Sequence, residues 1–504
     1  MKKNKKHNYL PIAAVFFGIL ITLAAVIYVV SKWVDATYDV DFQTLLYTLM
    51  SPLKGTSDSV VGLVVETCLP PVVFCVAMYA LIAFVLCQSR VSVSLSLRSD
   101  RVKIDLLKWL RRSGAVVCLA LLLCACLFCN QVLGISAWWG NKTQTTALYD
   151  DYYVDPDSVT ITLNGQPKNL IYIYLESAET TYASTQDGGA QEINYIPNMT
   201  ALANENISFS DKDGLGGFRS LVGTTWTMGG IFSTTSGVPF SFPIERNSMV
   251  LYENFASGLT VLGDILENKG YRQEFLCGSD ASFGGRRDYF TQHGNYDIFD
   301  YFTAIEKGYI ASDYYVWWGY EDWILYEIAK DELTRLAAEG QPFNFTFLTA
   351  DQHYPDGCLC EKCENEYDFR LGNVLACSDR QILEFITWCQ QQDFYEDTVI
   401  VLSGDHPRMD TTLVENIDYM DRTVYNCFIN ADRTISLSEK NRDFTSMDML
   451  PTVLYAMGFD IEGERLGLGT NLFSSTPTLA EELGLSYLEE ELSKSSLYYI
   501  ANFT

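Results

Sequence analysis

Three long stretches without a charged side chain occupy the first quarter of this chain, and they constrain its fold more than any other feature. Residues 8–31 lie between His7 and Lys32, residues 67–89 between Glu66 and Arg90, and residues 113–140 follow Arg112. Each is long enough to cross roughly 30 Å of hydrocarbon as a helix. A cleavable signal peptide is the alternative for the first, but its apolar run is too long and lacks a small-residue cleavage site. Lys2, Lys3, Lys5 and Lys6 precede the first span, while Arg90, Arg98, Arg101, Lys103, Lys108, Arg111 and Arg112 fill the loop between the second and third. Positive side chains favour the cytoplasmic side, so three crossings put residues 141–504 outside, with Trp138 and Trp139 at the exit face. The segment 41–66 reads as an amphipathic helix on the outer interface or a dip into the bilayer. The expected layout is a membrane anchor over 1–140, a polar linker over 141–168 and an outer domain over 169–504.

The chain carries 63 Asp and Glu against 35 Lys and Arg, a net charge of −28, and the imbalance lies wholly beyond residue 136. Such a surface repels phosphate polymers and argues against a nucleic-acid partner. Any anionic ligand must therefore be met by a cation or a local basic cluster. Half of the 14 cysteines lie in or beside the apolar spans, where they act as small apolar residues. In the outer domain, Cys358, Cys360 and Cys363 hint at a zinc knuckle. No nearby His or second closely spaced Cys pair completes a tetrahedral set, so disulfides are the expected state.

Within the outer domain, short β-rich runs at Leu170–Leu175, Gln273–Cys277, Phe343–Leu348 and Thr398–Leu402 alternate with helical stretches at Trp317–Ala338, Asp379–Gln391 and Thr445–Met457. Strands alternating with helices predict an α/β fold with a mostly parallel sheet between helices. Sites in such folds gather at the carboxyl ends of the strands. Those ends carry Glu176-Ser177, Gly278-Ser279-Asp280, Thr349 to His353, and Ser403-Gly404-Asp405-His406.

A carboxylate after one strand and an Asp-His pair after another are ligand types that a divalent cation accepts. Between them lies GTTWTMGG (223–230), a glycine turn leading into a predicted helix, whose start suits phosphate. A threonine hydroxyl there needs a metal or a base to become a nucleophile. Taken singly, each of these residues is more often a cap or a hydrogen-bonding group; their recurrence at several strand ends favours a site. The set supplies too few ligands for a two-metal centre, so one ion is expected.

The segments NLIYIYLES (169–177), GTTWTMGGIFSTTSGVP (223–239), GSDASFGGR (278–286), HYPDG (353–357) and TVIVLSGDH (398–406) resemble the phosphoglycerol transferases of the lipoteichoic acid synthase family, in particular the branch that decorates osmoregulated periplasmic glucans. The resemblance runs in consistent order over about residues 165–475. It implies an alkaline-phosphatase/sulfatase-like fold and one divalent cation, usually manganese, with zinc and magnesium as alternatives. It also implies that Glu176, Asp405 and His406 are ligands and that Thr225 is the nucleophile and fourth ligand, with Thr224 its nearest rival. Asp280, Arg286 and His353 match positions that contact glycerol phosphate, and Arg286 with Arg287 supplies the basic cluster that an acidic domain needs. Cys363 and Cys377 resemble a disulfide of the glucan-modifying branch, leaving Cys358 and Cys360 as extras.

The implied activity is transfer of glycerol phosphate from phosphatidylglycerol to a glycan, glycolipid or polyglycerolphosphate acceptor at a bacterial cytoplasmic membrane. Three competitors stand beside it. A phosphoethanolamine transferase on the same fold differs only in headgroup. A sulfatase-like hydrolase needs a Cys/Ser-x-Pro-x-Arg setting that the outer cysteines lack. A receptor would bind phosphoglycerol in a dead site.

Overall fold

The computed structural model describes residues 10–38, 42–50, 58–87, 94–96, 103–241 and 255–504, in two compact units. The first contains helices α1 (Leu10–Thr37), α3 (Asp58–Cys87) and α4 (Leu106–Leu133). Stretches of all three, Ala14–Thr37, Gly62–Phe84 and Ser113–Leu133, are long and apolar enough to cross a membrane, and the chain is a membrane protein. Their side chains are largely exposed, as lipid-facing helices require, and α1 meets α4 through the Tyr28–Phe128 ring pair at 5.1 Å. The third span ends where Gly134 takes positive φ and a separate short helix, Ile135–Lys142, begins. Lys2, Lys3, Lys5, Lys6, Arg90, Arg98 and Arg101 lie outside the described residues.

The second unit comprises the chain from Ala137 to Thr504 together with helix α2 (Phe42–Met50), which in sequence stands between the first two apolar helices. Its centre is a six-stranded sheet of β1 (Asn169–Leu175), β2 (Arg272–Cys277), β3 (Asp297–Phe299), β4 (Phe343–Leu348), β5 (Thr398–Gly404) and β6 (Asn426–Ile429), in the order β3-β2-β4-β1-β5-β6. All neighbours run parallel except the edge pair β5–β6. The carboxyl ends of β1, β2, β4 and β5 therefore open on one side.

Side-chain alternation along the strands builds two cores. On β1, Leu170, Tyr172 and Tyr174 enter one core while Ile171, Ile173 and Leu175 enter the other. The first is roofed by helices α5 (Thr227–Ser236) and α8 (Met449–Ala456), the second by α6 (Asp322–Glu339) and α7 (Arg370–Cys389). A strand buried on both faces must be apolar almost throughout, which is why the strand runs are visible in the sequence.

Several expectations need correction, among them the start of α7, which lies at Arg370 rather than Asp379. The stretch 141–168 is folded rather than a free linker: Leu148 and Tyr149 are core residues, and Ile161–Leu163 pairs antiparallel with Phe459–Ile461. Helix α6 starts at Asp322 rather than Trp317, because Trp317 and Gly319 both take positive φ in a tight turn. A Cβ on Gly319 would stand 2.0 Å from the Gly278 carbonyl oxygen, so that turn belongs to the packing around the end of β2.

Candidate metal and phosphoryl-transfer site

The polypeptide leaves β1 through Glu176 and Ser177, whose φ of 53° turns the chain sharply across the end of β5. The turn lets the Ser177 N–H donate to Asp405 Oδ1 at 2.8 Å, and the His406 N–H donates to the same oxygen at 2.9 Å. Ser177 Oγ donates to Glu176 Oε1 at 2.8 Å. Asp405 Oδ2 is buried without a hydrogen-bond partner.

His406 Nδ1 lies 2.7 Å from the Pro407 carbonyl oxygen, a contact that only a protonated Nδ1 makes favourable. That bond turns Nε2 toward the carboxylates, 3.4 Å from Asp405 Oδ2 and 3.8 Å from Glu176 Oε1. Glu176, Asp405 and His406 are all buried and each offers a ligand atom within 4.8 Å of the others. Burial, and then the charge of Asp405, push the Glu176 carboxyl well above its usual range. Two buried carboxylates and an imidazole lone pair converging on one point are unfavourable alone, and they are the donors a divalent cation accepts. The orphaned Asp405 oxygen is the observation that best fits such an ion.

Helix α5 begins beside this cluster. Gly223 takes φ +85°, and a Cβ on Gly230 would stand 1.9 Å from the Asp405 carbonyl oxygen, so only glycine lets the first turn close on the Asp-His turn. Thr224 is committed to its own loop: its hydroxyl accepts from the Leu221 N–H and donates to the Leu221 carbonyl, both at 2.9 Å. Thr227, the first residue of α5, holds its hydroxyl 3.5 Å from Glu176 Oε2 and 3.4 Å from His406 Nε2. Thr225 instead places its hydroxyl 2.7 Å from that of Thr44, a buried residue of α2. Sequence reading singled out neither Thr227 nor Thr44. The first needs the helix start to be known, and the second lies 181 positions away.

The remaining expected residues line the neighbouring strand ends. Gly284 and Gly285, both at positive φ, turn the chain after β2 and deliver Arg286 to a buried position. Its guanidinium donates to the Phe283 carbonyl, Ser279 Oγ and the Asp280 carbonyl at 3.0, 3.0 and 3.1 Å. Asp280 Oδ1 accepts from the Ser282 N–H at 2.9 Å. Arg287 does not join Arg286 in a basic cluster: it pairs with Asp300 at 2.5 Å. The other cation whose field reaches Glu176 is the buried Arg408, which donates to the Gln352 carbonyl at 2.7 Å and is itself ion-paired with Asp410 at 2.6 Å. His353, after β4, packs edge-on against Trp318 at 4.6 Å, with Nδ1 2.8 Å from the Tyr354 carbonyl oxygen. Burial foremost, with the nearby guanidinium groups of Arg408 and Arg286, pushes its imidazole down to about 4, so it is neutral at physiological pH.

The sulfatase family profile matches residues 168–459, more than half of the chain, and the chain belongs to the sulfatase family. Over 335 residues it is 32% identical to phosphoglycerol transferase I of Escherichia coli O139:H28 (strain E24377A / ETEC), covering 64% of this chain and 41% of that protein. The chain therefore matches less than half the length of this relative. Among solved structures, the lipoteichoic acid synthase LtaP from Listeria monocytogenes is 19% identical, covering 65% of this chain and 80% of that one with a TM-score of 0.47. The lipooligosaccharide phosphoethanolamine transferase A (EptA) from Neisseria meningitidis is 13% identical, covering 90% and 86% with a TM-score of 0.49.

Proposed function

We propose that this chain is a metal-dependent phosphoglycerol transferase, taking glycerol phosphate from phosphatidylglycerol and passing it to a glycan, glycolipid or polyglycerolphosphate acceptor. The observation that carries this reading is the convergence of Glu176, Asp405 and His406, with an orphaned Asp405 oxygen, beside the Thr227 hydroxyl at the start of α5. The phosphoglycerol transferase relative supports the headgroup. Glu176, Asp405 and His406 would hold one divalent cation, manganese by the family resemblance, which neutralises charge on the phosphoryl group and acidifies a coordinated hydroxyl.

In this reading Thr227 Oγ forms a bond to phosphorus as the bond to the diacylglycerol oxygen breaks. That oxygen leaves with a proton as diacylglycerol, and the enzyme keeps a phosphothreonine-type ester of glycerol. An acceptor hydroxyl then attacks the same phosphorus and Thr227 departs, giving ping-pong kinetics. Arg286 offsets the phosphate charge, and the free Nε2 of neutral His353 accepts a hydrogen bond from a glycerol hydroxyl. Thr225 is a second reading for the nucleophile, favoured by the sequence motif and by its bond to Thr44.

The three apolar helices support a multi-pass anchor in a bacterial cytoplasmic membrane with the catalytic domain outside, and the donor lipid resides in that same bilayer. Incubation of the full chain with vesicles of labelled phosphatidylglycerol or phosphatidylethanolamine tests the donor. Manganese-dependent release of diacylglycerol from the first is expected; release only from the second would replace the assignment by a phosphoethanolamine transferase.

A further inference from the structure

The cysteines left over from this mechanism form a second cluster. Cys360 and Cys363 lie on the loop after His353, and Cys377 lies in the first half of α7. The Cys360 sulfur stands 3.7 Å from that of Cys363 and 3.8 Å from that of Cys377, and all three lie within 4.8 Å of one another. These separations are far from the roughly 2.05 Å of a disulfide. They match thiolates about 2.3 Å from a tetrahedral zinc ion, which stand roughly 3.8 Å apart.

The surroundings suit thiolates. Cys360-Glu361-Lys362-Cys363 closes a tight turn in which the Cys363 N–H donates to the Cys360 carbonyl at 3.1 Å. The Lys362 N–H faces the Cys360 sulfur. One turn after Cys377, Gln381 Nε2 lies 3.3 Å from the Cys377 sulfur and 4.0 Å from that of Cys360. Cys358 stands outside the trio, its N–H tied to the Asp351 carbonyl at 2.6 Å. A thiophilic cation satisfies all three at once.

We propose that Cys360, Cys363 and Cys377 bind a thiophilic divalent cation of the zinc class, separate from the carboxylate–imidazole centre, which fastens the loop following His353 to α7. Three protein thiolates leave the fourth tetrahedral corner to an exogenous ligand such as water. Its assigned role is to hold this loop, and its effect on transfer runs through the placement of His353.

Elemental analysis of the full chain, purified without chelator, tests this with two variants. Asp405→Asn is expected to lose the catalytic ion and retain one equivalent of zinc, whereas Cys360→Ser is expected to lose the zinc. Because Cys360→Ser can fail for want of folding, the wild-type chain is also exchanged into cobalt, where thiolate-to-cobalt charge-transfer absorption is expected, and alkylated with and without chelator, where protection of the three thiols until chelator is added is expected. A disulfide among these cysteines in unreduced protein, or the absence of both zinc in Asp405→Asn and the cobalt–thiolate band in wild type, would overturn the proposal and leave the catalytic reading untouched.

Discussion

At the scale of single residues, the site works by leaving specific atoms uncommitted. Pro407 occupies one nitrogen of His406 and frees the other; Ser177 and His406 occupy one oxygen of Asp405 and leave its partner bare. Arg286 shows the opposite arrangement, since three hydrogen bonds fix its planar group before any phosphate arrives. Lysine keeps the charge but lacks that fork. Arg286→Lys is therefore expected to lower kcat/KM for phosphatidylglycerol about tenfold to a hundredfold with ion content unchanged, measured by steady-state kinetics and elemental analysis. The convergence of Glu176, Asp405 and His406 was readable from the sequence because carboxylate and imidazole residues follow apolar strand runs. The partnership of Arg287 with Asp300 was not, because it depends on how the loop after β2 meets the end of β3.

At the scale of elements, strands were legible and helix starts were not. Strands buried on both faces announce themselves as unbroken apolar runs, and all four expected ones appear within two residues of their observed ends. A helix start depends on where a turn ends, and the turns around Gly223 and Gly319 are set by contacts to Phe240 and Gly278 that no local pattern reveals. That ambiguity decides between Thr225 and Thr227. Helix α2 is the other element whose role only the fold discloses: Gln43 Nε2 reaches the Phe240 carbonyl at 3.4 Å, Phe42 packs edge-on against Trp138 at 5.1 Å, and Thr44 meets Thr225. Thr44→Val keeps the shape and removes the hydroxyl. It is expected to lower kcat several-fold with KM little changed, and Thr44→Ser is expected to restore it; equal losses in both variants would reduce α2 to simple packing.

At the scale of the whole molecule, a strongly acidic domain follows helices long and apolar enough to cross a bilayer, and the proposed donor lipid is itself anionic. Repulsion between the domain and an anionic leaflet is screened over about 10 Å at 0.1 M salt. Turnover on phosphatidylglycerol vesicles is expected to rise a few-fold as monovalent salt increases from about 0.01 to 0.1 M, read as initial diacylglycerol release. A flat profile would mean that Arg286 and the bound cation already cancel the field at the headgroup. The composition made the acidity plain, but only the fold shows that Arg408 reaches into this setting, since its neighbours in sequence give no sign of burial beside Glu176.

The central claim is that one cation, held by Glu176, Asp405 and His406, activates the hydroxyl at the first residue of α5. The most direct measurement is peptide mass mapping of the full chain after incubation with phosphatidylglycerol and manganese in the absence of acceptor. A phosphoglyceryl ester on Thr227, lost in Thr227→Ala and kept in Thr225→Ala, is the predicted result. An ester on Thr225, or diacylglycerol released with no threonine modified in this segment, would contradict it.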